Sequence, residues 1–197
     1  MKQKTTLPVL LILLGLFVLP MMHVNAQTNV TASKTELTVK GTSTLHDWHM
    51  TSTKAQVKGT LQWEGAKLVG VQALQLNLIA NTLKSDNNGL DKNAYKALMT
   101  DKHSQIQFVL SQATITPTGA NTYKIVGTGQ LSIAGTTKKT TLNATATVHP
   151  GDKNLHIKGT TTFNMSNYGV KPPTVMMGTI KTGDTITITY ETTLQSN

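Results

Sequence analysis

Tyr123-Lys124-Ile125-Val126-Gly127-Thr128-Gly129-Gln130-Leu131-Ser132-Ile133 is the run whose reading decides the fold. Every second residue, from Tyr123 to Ile133, is apolar or glycine, and most positions between are polar, which is the period of a strand with one wet face. Ala134-Gly135-Thr136-Thr137 then turns the chain into a second alternating run carrying Leu142, Ala144, Ala146 and Val148. Working outward, the same period recurs at Ile106, Phe108 and Leu110, at Leu74, Leu76, Leu78 and Ala80, and at Ala55, Val57, Gly59, Leu61 and Trp63. Downstream it recurs from Leu155 to Met165 and at Ile186, Ile188 and Tyr190; upstream, at Leu37 and Val39 after a polar leader, Gln27 to Lys34. Several long one-sided strands joined by tight turns must stack as a sandwich or close into a barrel. Glycines 59, 127, 129 and 159 fall on the apolar face inside strands, where barrel bends or a close ligand approach need them, and this favours closure.

Composition bounds the rest. Met1-Lys2-Gln3-Lys4, the apolar run Leu7 to Leu19 and Val24-Asn25-Ala26 have the three parts of a secretory signal, so residues 1–26 are expected to be removed and 27–197 to form one domain in the periplasm or outside the cell. Loss of the signal removes two of 18 basic residues and none of nine acids, leaving +7. All the basic residues are lysine, scattered along the strands, so neither the residue type nor the pattern suits nucleic acid. With no cysteine the domain stands without disulfides, which a chain of this size can do, since ~150 residues already bury about 68–70% of their unfolded surface.

Two stretches interrupt the alternation. Gly41-Thr42-Ser43-Thr44-Leu45-His46-Asp47-Trp48-His49-Met50 sits at a corner between strands, and the apolar parity switches between Met50 and Ala55, which implies a bulge or bend near 51–54. Leu83 to Leu90 is rich in turn formers, and Asp91 is placed to cap a short helix over Lys92 to Met99. The string Gly41 to Trp48 resembles the opening of the YceI-like family. So do Ser85-Asp86-Asn87, Leu90-Asp91-Lys92 and Ile106-Gln107-Phe108, although Gln105 stands where that family usually has proline. Gly129 to Thr137 and the segment Tyr168-Gly169-Val170-Lys171-Pro172-Pro173 before Gly178-Thr179-Ile180 extend the resemblance over nearly all of 27–197. It implies an all-β, antiparallel lipocalin-like barrel of about eight strands with one short helix, and a polyisoprenoid or isoprenoid quinone held inside.

On that reading the ligand is contacted by Trp48, Met50, Leu76, Leu78, Phe108, Leu110, Leu131, Ile133, Phe163 and Met165, with Leu98, Met176 and Met177 near the mouth. No cofactor other than such a lipid is expected, membrane contact is expected only transiently for ligand exchange, and the protein is expected to be a monomer or homodimer. His46, His49, His103, His149 and His156 lack the spacing of a metal site, because offset-three residues on a strand face opposite ways. Ser43, His46 and Asp47 are too close in sequence to converge as a triad, so no enzyme is expected, and His46 or Asp47 is expected to tie the corner to backbone amides. The alternative is a structural or adhesive β-module with a filled core. Few large and many small inward residues favour the carrier, because side chains alone leave such an interior unfilled.

Overall fold

The computed structural model describes residues 26–149, 151 and 154–196. Residues 1–25, which carry nearly all of the expected secretory signal, lie outside them. The elements in order are β1 (Ala26–Ser43), β2 (Trp48–Ser52), β3 (Gln56–Glu64), β4 (Lys67–Ile79), α1 (Asn88–Leu98), β5 (Gln105–Pro117), β6 (Thr122–Ile133), β7 (Thr136–Val148), β8 (Leu155–Asn164), β9 (Thr174–Val175) and β10 (Ile180–Ser196). Short 3₁₀ turns follow β4 (Ala80–Thr82) and β8 (Met165–Tyr168).

Eight antiparallel strands close on themselves in the order β1-β3-β4-β5-β6-β7-β8-β10, with β10 hydrogen-bonded back to β1 from Val30↔Ser196 to Ser43↔Thr182. Closure leaves none of the eight with a bare edge along that seam. The polar run Gln27 to Lys34 is strand and not leader: Ala26–Thr31 pairs with β3, and Val30 is buried. Only one inward apolar residue in that stretch is fully enclosed, which is why its alternation does not stand out.

β2 and β3 are two halves of one broken track along β1. Leu37 to Gly41 pairs with β2, and Ala26 to Thr31 pairs with β3. Met50 and Ser52 are buried on one parity and Ala55, Val57, Leu61 and Trp63 on the other, so the bend between them is the parity switch. Ser52 holds it, its hydroxyl accepting from Lys54 N–H and bonded to Thr82 Oγ1.

The β6–β7 hairpin turns on Ala134 and Gly135, both at positive φ (49° and 80°), the backbone of the tightest right-twisted hairpins. The in-strand glycines answer to the protein's own atoms, Gly59 to the Ala73 carbonyl and Gly127, Gly129 and Gly159 to side chains. The Phe108 ring lies against Gly129, Leu110 against Gly127, and a Cβ at Gly159 would overlap the Tyr190 ring and the Asn143 carbonyl. Gly159→Ala is therefore expected to cost about 1–3 kcal/mol, as overpacking does. Urea unfolding measures it, and an unchanged midpoint would show that the Tyr190 ring moves freely.

Side chains seal one end of the barrel. Trp63, Leu61, Leu68, Leu155 and Leu194 are fully buried there with Tyr123 and Val148. Tyr123 keeps its hydroxyl satisfied by accepting from Leu68 N–H (3.3 Å). At the other end the strands give way to the corner 42–47, α1 and the β9–β10 hairpin.

Candidate functional site: an apolar cavity inside the barrel

Above the sealed floor lies a cavity of about 570 Å³, within the usual range for small-molecule sites. Leu76 and Leu78 line it from β4, Phe108 and Leu110 from β5, Leu131 and Ile133 from β6, and Phe163 from β8. Trp48 and Met50 reach it from β2, Leu98 from α1 and Met165 from the 3₁₀ turn after β8. The strand pattern thus brings eleven of the thirteen expected ligand residues to one surface. Met176 and Met177 do not line it. They occupy the tip of the β9–β10 hairpin and point into solvent.

The wall also contains residues not singled out from the sequence. Leu37 and Val39 on β1 and Ile186, Ile188 and Tyr190 on β10 line it, as do Leu74, Leu142 and Ala144. Their alternation was visible, but alternation does not separate lumen positions from floor positions. The roof is α1, which turns Leu90, Ala94, Ala97 and Leu98 to the cavity. No Lys, Asp or Glu is among the described residues that line it. Its polar groups are Ser43, His46, Asn87, Asn93 and Thr182 near the opening, and Thr35, Thr161, Tyr190 and Thr192 along the wall. Burial pushes the Tyr190 phenol up to about 12, and it donates to the Asn143 carbonyl (2.9 Å), so it stays neutral.

The corner is held by a hydroxyl, not by His46 or Asp47. Ser43 Oγ accepts from the N–H groups of Leu45 and His46 and donates to the His46 carbonyl (2.7 Å). His46 Nδ1 meets the Asp47 backbone carbonyl (2.7 Å), so the Ser43 and His46 side chains are both engaged with backbone atoms of the corner. Trp48 lies flat over Gly41, where any Cβ would overlap the indole, and its Nε1 donates to the Thr42 carbonyl (3.0 Å). Among the described residues no three His, Cys, Asp or Glu side chains gather as a metal site.

α1 begins earlier than the sequence suggests, and Asn87 caps it: its Oδ1 accepts from Gly89 N–H (2.8 Å) and Leu90 N–H (3.1 Å). Asp91 has another task. It is only 4% exposed, and its Oδ1 accepts from both the N–H and the hydroxyl of Ser85 (2.8 Å each), while Lys84 Nζ stands 3.5 Å from Oδ2. Tyr95 Oη donates to the Leu83 carbonyl (2.6 Å), locking the same loop to the helix. Burial pushes the Asp91 carboxyl up, but the Ser85 hydrogen bonds and Lys84 outweigh it and hold it below the ordinary 3.8.

A carboxyl lowered by folding contributes stability that is complete above its unfolded value and is lost as pH falls through its folded one. Asp91→Ala is accordingly expected to cost about 1.5–3 kcal/mol at neutral pH, the range for hydrogen bonds to a charged group. The gap to the parent should close as pH drops below 3.8. Unfolding curves across pH measure both, and a gap independent of pH would refute the assignment.

No curated protein sequence matches the chain. The fold is similar to that in the crystal structure of Burkholderia cenocepacia BcnA, at 16% identity over 81% of this chain and 95% of that one, with a TM-score of 0.61. It is equally similar to a polyisoprenoid binding domain from Saccharophagus degradans implicated in plant cell wall breakdown, at 9% identity over 85% and 98% of the two chains (TM-score 0.61). A Campylobacter jejuni YceI protein matches at 16% identity over 67% of this chain and 74% of that one (TM-score 0.50). At such identities the likeness is one of fold, but the family model for the YceI-like domain matches the sequence itself over residues 22–194, and the chain belongs to the YceI-like family.

Proposed function

We propose that the protein is an exported carrier that holds a long apolar lipid of isoprenoid type, a polyisoprenoid or an isoprenoid quinone, within the barrel. The observation that carries this is the cavity itself: about 570 Å³, walled mainly by aliphatic and aromatic side chains, with no Lys, Asp or Glu among the described residues that line it. Each methylene taken from water into such a wall contributes about 0.8 kcal/mol, so a few isoprene units outweigh the entropy lost on binding. A charged headgroup would find no partner in the lumen, so the enclosed portion is neutral and any charge stays at the opening beside Ser43, Asn87 and Asn93. The likeness to a polyisoprenoid binding domain supports the same reading. Export is supported by the pattern of residues 1–26.

Organic extraction of the purified protein, followed by mass spectrometry, is the test. The expected result is a stoichiometric isoprenoid lipid in the extract. Protein that yields no lipid and takes up none when offered polyprenol or quinone would leave the barrel as a structural module.

A further inference from the structure

The apolar surface of the cavity does not stop at its rim. Leu45 lines the opening and is 66% exposed, while Met176 and Met177 at the tip of the β9–β10 hairpin are 72% and 108% exposed. The two tips form one unit. Thr44 N–H donates to the Lys181 carbonyl (3.0 Å), Lys181 N–H donates to Thr44 Oγ1 (3.1 Å), and that hydroxyl donates to the Thr179 carbonyl (3.3 Å).

Both methionines hold positive φ, 51° and 53°. Asparagine and glycine take that conformation at less cost, and a turn that had only to join β9 to β10 would be built from them. Here backbone and side chain are both unfavourable in water, at the place where the cavity opens. Such a combination marks an interaction surface. Lys171 and Lys181 stand exposed at the foot of the tips, and α1 presents Lys92 and Lys96 outward. Asp47, Asp86 and Asp101 are the exposed acids of this end, and Asp184 is engaged by the N–H and hydroxyl of Ser166.

We infer that Leu45, Met176 and Met177 insert into the interfacial zone of a phospholipid bilayer, with the lysines facing headgroup phosphates, so that lipid passes between membrane and cavity without crossing water. The inference rests on the carrier reading and names the surface that serves it. Methionine suits this role because its flexible thioether packs against irregular chains, and lysine stems reach the phosphates while staying hydrated.

The test uses the purified protein and sedimentation with vesicles of phosphatidylethanolamine and phosphatidylglycerol. Met176→Asn with Met177→Asn relieves the backbone while removing the apolar tip, and Leu45→Ser truncates the other. The expected result for the methionine pair is an unchanged or raised melting temperature and unchanged lipid on extraction, and for all three substitutions vesicle partitioning weakened by about tenfold or more, with lipid transfer to the vesicles slowed in proportion. Parent protein that stays in the supernatant, or variants that partition like the parent, would overturn the inference. So would variants that merely turn a dimer into a monomer, since a second copy would then cover the tips. Tip-dependent partitioning of a protein whose extract contains no lipid would uphold the membrane surface and remove the carrier reading.

Discussion

Leu142→Lys is expected to strip the barrel of its lipid while leaving it folded. Leu142 is half-buried, faces the cavity from β7 and sits opposite Gly127 of β6, so the lysine stem has room and the ammonium ends in the lumen. With lipid present that ammonium must be desolvated against hydrocarbon, at several kcal/mol even after relaxation. Affinity therefore falls by at least about a hundredfold. Without lipid, water reaches the charge through the open end, and the loss of fold stability stays within about 2–3 kcal/mol. Extraction and mass spectrometry read the first quantity and urea unfolding the second. A Leu142→Lys protein that keeps its full lipid load would place the ligand elsewhere.

Trp63→Ala should have the opposite profile. Trp63 is 1% exposed in the floor, clustered with Leu61, Leu68, Leu155 and Leu194. Its truncation is expected to cost about 3–5 kcal/mol, the range for burying a void in place of a large aromatic. Leu142→Ala, by contrast, only widens a cavity that already exists and should cost about 1 kcal/mol. Equal losses at the two positions would mean that floor and lumen are not mechanically distinct.

Strand identity was legible because burial on one face imposes a period of two, and that period is written plainly from Tyr123 to Ile133 and from Leu142 to Val148. The lumen residues followed from it. What alternation cannot carry is height along the barrel. Trp63 and Leu76 both face inward, one in the packed floor and one in the open lumen, and only the register between strands separates them. Local chemistry misled where two residues compete for one task. Asp91 is a good N-cap by type, but Asn87 takes the cap and Asp91 turns back to Ser85. The methionine pair, expected near the mouth, does stand at the opening, but with its side chains in solvent and not on the cavity wall.

The seam between β1 and β10 sets how this chain can fold. Thr35 and Thr192 bond across it although they stand 157 positions apart in sequence, so closing the barrel depends on contacts among the most distant in the chain. Contacts of that span place a β-barrel at the slow end of single-domain kinetics, in milliseconds to seconds. Until they form, two strand edges and the whole apolar face are open, a state prone to pairing with other copies. Removing β10 from the chain would make that state permanent, and the expected product is an aggregate, not a smaller barrel.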